Sequence, residues 1–240
     1  MFLVGKLFEV IKVERPSKKV LEDLKEISSA TAWGVLYNMG ISSTFMEGIM
    51  PLNNGAKMVG PAQTLHYLPM REDKKYTPEW FRTSAPFQLA NEIQKGDIVV
   101  VDAGVYMGYG GMGDIMITGY YVKGAGGMVF DGSIRDSPYV KTLKMPIFAR
   151  GVQPSITPHV MPVVANVMIQ CGGVLVVPGD VLIGDDDGVV VIPKELVEEV
   201  AKRGLEREKI EIYARKLLEA GRPLSEAYPP KPEWLTKPPI

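Results

Sequence analysis

Apolar positions along this chain fall into short β-rich runs separated by amphipathic or charged stretches. Val, Ile, Leu and Met dominate 57–65, 97–102, 128–131, 146–149, 174–177, 180–183 and 188–192, each bounded by Gly, Pro or Asp, and these predict strands. A polar helix is predicted over 17–29. A second helix starts at Ser29, Ala30 and Thr31, runs through Val35, Leu36 and Tyr37, and is stopped by Gly40. Residues 118–125 read as the body of a short helix. Residues 193–221 read as a long one with Pro193 in its first turn and Gly204 as a weak point. Helical stretches between several strands argue for a mixed α/β fold, parallel in the middle and closing in hairpins.

Residues 95–100 and 178–183 echo each other, which Gly-Asp turns leading into buried strands explain without a repeat. From Pro223 onward there are six prolines, so this tail is expected to be neither helix nor central strand, and either disordered or laid extended along a surface. Tyr228 and Trp234 favour docking. Residues 1–11 are apolar but broken by Lys6 and Glu9, too short to span a bilayer, and read as an edge strand or an arm crossing to a neighbouring subunit. The expected organisation is an arm over 1–24, a main α/β domain over 25–220 and a Pro-rich tail over 221–240.

A chain of 240 residues has a sizeable core available without staples. Its net charge of -1 lacks the basic footprint of a nucleic-acid binder. Neither a nucleic-acid nor a membrane partner is expected. A single cysteine, Cys171, excludes a disulfide framework and a cysteine-based zinc cage; it points to a reducing, cytoplasmic setting and reads as a small apolar residue.

The chemistry concentrates in Gly113, Asp114, Ile115 and Met116, followed by Gly132, Ser133, Ile134, Arg135 and Asp136. A helix of about 12 residues climbs roughly 18 Å, and a strand of about 5 or 6 residues returns roughly as far, so the two loops meet. They would share the edge of a sheet where α/β proteins bind small molecules. Asp114 and Asp136 fit the modest demand of Mg²⁺ for one or two carboxylates, whereas His66 and His159 are too far apart in sequence to suggest zinc. A helix N-terminus at Asp114 would offer the N–H groups of Ile115 and Met116 to a carboxylate, and Arg135 adds a fork for a carboxylate or enolate oxygen. Together these suit a 2-oxo acid.

Plainer readings stand beside this one. Asp136, Ser137 and Pro138 look like a helix start, Asp114 decorates a helix N-terminus, and Arg135 alone is an ordinary surface ion pair. Gly108 to Gly113 matches a dinucleotide fingerprint with Asp131 as the ribose acid, but Asp114 would bring negative charge close to a pyrophosphate. Gly184-Asp185-Asp186-Asp187-Gly188 reads as a hairpin turn and not a calcium loop. His66 and His159 read as local hydrogen-bonding residues.

At these residues the chain resembles the RraA-like family, which includes class II 4-hydroxy-4-methyl-2-oxoglutarate / 4-carboxy-4-hydroxy-2-oxoadipate aldolases. The family pattern is an acid, twenty residues, then Arg-Asp; here residues 115–134 separate Asp114 from Arg135 and Asp136. The likeness continues through 131–136, 148–151, 178–181 and 184–193, and spans roughly 25–220. It implies a swivelling α-β-β-α sandwich with a mixed sheet, assembled as a homotrimer or homohexamer with sites between subunits. It further implies a lyase that cleaves 4-hydroxy-4-methyl-2-oxoglutarate-like substrates and decarboxylates oxaloacetate through a metal-stabilised pyruvate enolate, using Mg²⁺ or Mn²⁺. In that picture Asp136 binds the metal, Arg135 holds the pyruvyl part, residues 113–116 receive the substrate carboxylate, and Asp114 orders the proton-transfer water. A neighbouring subunit's Glu is represented by Glu208 or Glu211. The early segment Thr31 to Leu36 lacks the Asp that family members often carry, and 53–75 reads as an insert at the mouth. The resemblance also admits a non-catalytic regulator that binds an endoribonuclease. A methyltransferase role has weaker physical support, since no glycine-rich loop follows the first strand.

Overall fold

The computed structural model describes residues 10–71, 73, 77–156 and 160–239, with backbone alone for 78 and 105–109. The first nine residues of the expected N-terminal arm, together with Lys75 and His159, lie outside the described residues. The backbone N–H of Ile11 donates to Asn166 O at 2.7 Å.

The sheet is built on strands that are apolar on both faces, as parallel strands covered on both sides must be. In chain order these are β1 (Met50–Pro51), β2 (Met58–Pro69), β3 (Ile98–Gly110), β4 (Gly127–Ile134) and β5 (Ile147–Val152), then β6 (Val160–Ala165), β7 (Ile169–Cys171), β8 (Val174–Val176), β9 (Val181–Asp185) and β10 (Gly188–Ile192). The main sheet runs β1-β5-β4-β3-β2-β9-β10, with β6 added against β2, while β7 and β8 form a separate hairpin. β2, β3, β4 and β5 are mutually parallel, and the remaining pairings are antiparallel. Just before β1, Met46 N–H donates to Val189 O at 2.9 Å and Val191 N–H to Thr44 O at 2.8 Å, so the chain bridges both ends of the sheet and nearly closes it. This is the mixed α/β architecture that the apolar pattern implies.

Three helices, α1 (Lys18–Lys25), α2 (Ser29–Asn38) and, later in the chain, the long α7 (Val197–Glu219), cover β9 and β10; the short α3 (Pro78–Arg82) and α4 (Ala85–Glu92) precede β3. α5 (Asp114–Lys123) and α6 (Ser137–Val140) flank β4, and α7 (Val197–Glu219) and α8 (Leu224–Ala227) finish the chain. Strand alternation divides the core. Val99, Val101, Met128 and Phe130 face Leu89, Ile117 and Tyr120 of α4 and α5. Ile98, Val100, Val129 and Phe148 face inward toward Leu182, Val189 and Val191. Among the described residues no helix is long and apolar enough to cross a membrane.

Several elements differ from the sequence reading. β2 is a central strand over most of 53–75, so that segment is not an insert; its run is buried because β3, β6 and β9 all pair with it. β6 and β7 were not legible as strands. α7 passes through Gly204 unbroken, because a β-carbon there would meet Ile27 Cδ1 at 2.7 Å: the glycine permits close packing and is not a weak point. The tail does form helix, in α8 and a 3₁₀ turn over Pro232–Leu235, placed between prolines. Ala227 and Trp234 bury against Ala214 and Leu217 of α7. Tyr228 stays exposed.

The echo between 95–100 and 178–183 is a shared turn. Asp97 accepts from Gln94 N–H and Asp180 from Val177 N–H, both at 2.8 Å, three residues back, after glycines at φ +93 and +95.

Candidate active site

β3 outruns β4. Asp102 stands opposite Asp131, but Gly110 stands opposite Ser133, so β3 spends eight residues where β4 spends two and its end is carried back beside the end of β4. Residues 110–112 then pair with 133–135: Gly111 N–H donates to Ser133 O at 2.8 Å, and Arg135 N–H to Met112 O at 2.9 Å. The approach is tight. A β-carbon on Gly110 would lie 2.7 Å from Arg135 Cβ and 2.6 Å from Gln153 O. The glycine run therefore serves strand-to-strand contact and not a phosphate turn, since Gly108 and Gly110 lie in β3.

Gly113 is the N-cap of α5 and offers no side-chain cap, so the first N–H groups of the helix turn to carboxylates instead. Asp114 N–H faces Asp136 Oδ2 at 3.4 Å, and Ile115 N–H donates to Asp114 Oδ1 at 2.8 Å. One of the two N–H groups expected to receive a substrate carboxylate is thus already held by Asp114 itself.

Asp136 occupies the N-cap position of α6 without capping it. Its backbone is left-handed, φ 58 and ψ 31, a conformation that short Asp side chains tolerate better than most but that still costs roughly 1–2 kcal/mol. The carboxylate points away from the helix. Oδ2 accepts from Arg135 Nε at 3.1 Å and Oδ1 from Nη2 at 3.5 Å. About a third of each side chain remains open to solvent, 31% for Arg135 and 35% for Asp136. The chain thus brings Gly113, Asp114, Ile115, Arg135 and Asp136 together on one face.

Among the described residues no three His, Cys, Asp or Glu side chains converge as a cation cage. What the chain offers is one partly exposed carboxylate beside a glycine whose β-carbon would fall 2.6 Å from Asp136 Oδ2. That donor set fits a hard cation that keeps most of its waters, and does not fit zinc.

Glu208 and Glu211 are engaged within their own helical layer. Thr31 Oγ1 donates to Glu208 at 2.6 Å, and Arg207 Nε to Glu211 at 2.8 Å. Asp185, the last residue of β9 before the two-residue turn into β10, accepts from Ser29 N–H at 2.7 Å, as a hairpin acid and not a calcium ligand.

One polar feature escaped the sequence reading. His66, Asp102 and Asp131 stand in register on β2, β3 and β4, and Arg150 on β5 completes the row. His66 Nδ1 lies 2.9 Å from Asp102 Oδ2. Gln170 Nε2 bridges Asp102 at 3.3 Å and Asp131 at 3.0 Å, Gly172 N–H donates to Asp131 at 2.7 Å, and Arg150 Nε donates to the other oxygen of Asp131. Asp131 is fully buried and committed to this row, which leaves it unavailable to a ribose. The available signal was an Asp ending each of two adjacent apolar strands. Cys171 is buried, and desolvation pushes its thiol well up, so it is inert.

A family model described as RraA-like, Aldolase/RraA, matches residues 21–191. A protein of Halalkalibacterium halodurans named as a candidate 4-hydroxy-4-methyl-2-oxoglutarate aldolase is 34% identical over 160 residues, 67% of this chain and 71% of that one. An uncharacterized protein of Methanocaldococcus jannaschii is 30% identical over 190 residues, 78% of this chain and 89% of its own. The crystal structure of Streptomyces coelicolor RraAS2, described as an unusual member of the RNase ES inhibitor RraA protein family, matches with a TM-score of 0.77 and 35% identity over 85% of this chain and 99% of that one.

Proposed function

Because the chain belongs to the RraA-like Aldolase/RraA family, we propose that it is a divalent-metal-dependent lyase that breaks a carbon–carbon bond in a 2-oxo acid. The observation that carries this reading is the Arg135–Asp136 pair, solvent-accessible and set against the N-terminus of α5. The reaction class is retro-aldol cleavage of substrates like 4-hydroxy-4-methyl-2-oxoglutarate, with oxaloacetate decarboxylation as a second activity of the same site.

Asp136 would hold Mg²⁺ or Mn²⁺, which when bound supplies polarisation of the 2-oxo carbonyl. Arg135 binds the pyruvyl carboxylate and balances the charge that develops on the C2 oxygen as the bond breaks. A fixed donor to such an oxyanion is commonly worth roughly 2.7 to 4 kcal/mol of barrier. The N–H groups of Ile115 and Met116 orient the substrate carboxylate, and Asp114, displaced from Ile115 N–H as substrate arrives, relays the proton. With this reading come a small 2-oxo acid as partner, a cytoplasmic location, and a homotrimer or homohexamer in which neighbouring subunits cover the open face of the site.

The test is pyruvate release from 4-hydroxy-4-methyl-2-oxoglutarate and from oxaloacetate, with Mg²⁺, with Mn²⁺ and with chelator. Turnover that chelation abolishes supports the reading, and turnover indifferent to metal, or none, counts against it. The likeness to RraAS2 supports a second reading, a non-catalytic regulator of an endoribonuclease, for which inhibition of RNA cleavage in the absence of lyase turnover would speak.

A further inference from the structure

Resting on the lyase reading above, we infer that Asn53 is a positioning residue for Asp136, the carboxylate that would hold the cation. Asp136 keeps φ 58 only while its surroundings hold it there, since a residue free to choose returns to negative φ. The short helix α6 does the holding. Asp136 O accepts from Tyr139 and Val140 N–H, both at 3.1 Å, and Lys141 N–H donates to Ser137 O at 2.9 Å, so residues 136–141 form one hydrogen-bonded turn. Val140 is buried, and pins the middle of that turn to the core shared with α5 and β4.

The far end of the turn is fixed from another part of the chain. Lys141 is the C-cap of α6, where carbonyls run out of helical donors, and Asn53 Nδ2 donates to Lys141 O at 3.0 Å from 88 residues away. Asn53 is itself tied to the sheet: Met50 and Pro51 pair with Ala149 and Phe148 of β5, and Leu52 N–H donates to Ile147 O at 2.9 Å. β5 in turn pairs with β4, which ends at Ile134, the neighbour of Arg135. Asn53 thus joins the carboxylate of the cation and the guanidinium of the substrate to one frame. Freeing the Lys141 carbonyl would let the turn swing and Asp136 relax, drawing its carboxylate off Arg135 Nε and out of the gap that Gly113 leaves.

An exposed Asn bonded to a backbone carbonyl is an ordinary feature, so positioning must be told apart from mere structure. The sign of one substitution does so. Asn53→Asp keeps the shape, removes the donor and adds a negative charge, which through its field alone would tighten cation binding. Loss of positioning weakens it instead.

The experiment is Mg²⁺ titration of the full chain by calorimetry, beside thermal melts without Mg²⁺. Affinity is expected to weaken by about tenfold or more in Asn53→Asp and by about tenfold in Asn53→Ala. Asn54→Asp, which puts the same charge one residue on, should leave it equal or tighter, and all three should melt within a few degrees of wild type. Pyruvate release from 4-hydroxy-4-methyl-2-oxoglutarate by the two Asn53 variants should fall at limiting Mg²⁺ and largely recover at saturation. Unchanged Mg²⁺ affinity in both variants, or activity that saturating Mg²⁺ does not restore, overturns the inference and leaves the lyase reading intact. If Asn53→Asp alone melts far below wild type, Asn53→Ala decides; if both do, Asn53 is a structural residue and the inference is overturned. A wild type that binds no Mg²⁺ and releases no pyruvate fails the lyase reading itself, and this inference with it.

Discussion

Gly113 and Asp136 are fitted to each other: a β-carbon on residue 113 would lie 2.6 Å from Asp136 Oδ2, closer than two non-bonded atoms can rest. Gly113 has φ -108 and ψ 178, which any residue adopts, so its side-chain-free face is needed for the carboxylate and not for the backbone. Gly113→Ala is therefore expected to displace the carboxylate while sparing the fold. Displacements of this size commonly cost about a hundredfold in rate. Thermal melts should match wild type, while kcat/KM for pyruvate release falls by about that factor. A variant with full activity would show that Asp136 needs no fixed position.

Asp136 itself separates charge from shape. Asn tolerates the left-handed backbone as well as Asp does, so Asp136→Asn should fold normally at φ 58. It keeps a hydrogen-bonding oxygen but loses the charge that answers Arg135 and would hold the cation. Metal-supported turnover should fall by about 10³-fold or more, with Mg²⁺ binding lost in calorimetry. Arg135→Lys, which keeps the charge but not the fork, should lower kcat/KM by about 10²-fold or more. Retention of metal-dependent activity in Asp136→Asn would remove Asp136 as the cation's ligand.

The row beneath the site makes a prediction about stability alone. Asp131 is fully buried and its charge is answered by Arg150. Arg150→Met leaves the carboxylate with Gln170 and Gly172 as donors but no counter-charge, a situation that typically costs about 3–5 kcal/mol. Adding Asp131→Asn should recover most of that loss, because the uncompensated charge goes with it. Urea melts of the two single variants and the double variant supply the cycle. Strictly additive losses would mean that the two charges do not communicate.

Much of this was legible in the sequence where one run of residues decides its own structure. The 97–102 strand is apolar on both faces and could only be central, and the 185–188 turn has acids and a glycine where a two-residue hairpin wants them. The meeting of Asp114 with Arg135 and Asp136 followed from adding a helix rise to a strand return. What was not legible depends on a second segment. β6 and β7 are short and interrupted, by Pro162 and Gln170, and are strands only because β2 and β8 lie beside them. The left-handed turn at Asp136 and the contact with Gly113 are distances between segments, and no local pattern encodes them. Gly204 misled for the same reason, since its neighbour Ile27 is far away in the chain.

The last prediction concerns Asp180, which accepts N–H bonds from Val177 at 2.8 Å and Lys194 at 3.0 Å while almost fully buried. Burial outweighs those bonds and raises its pKa from 3.8 to about 6. A raised acid acts against the usual carboxylate trend. Above about pH 6 the folded protein bears a buried charge that the unfolded chain carries freely in water, and below about pH 4 both states are neutral. The contribution of Asp180 to stability therefore improves as pH falls from about 6 toward 4, by up to about 3 kcal/mol at roughly 1.4 kcal/mol per unit. Other carboxylates change stability over the same range, so the comparison is with Asp180→Asn, which has no charge to lose. Subtracting its urea-melt free energy from that of wild type at each pH should give a difference that climbs as the solution is acidified. A difference that is flat, or that declines on acidification, would show that the backbone donors of Val177 and Lys194 hold Asp180 ionised with ease.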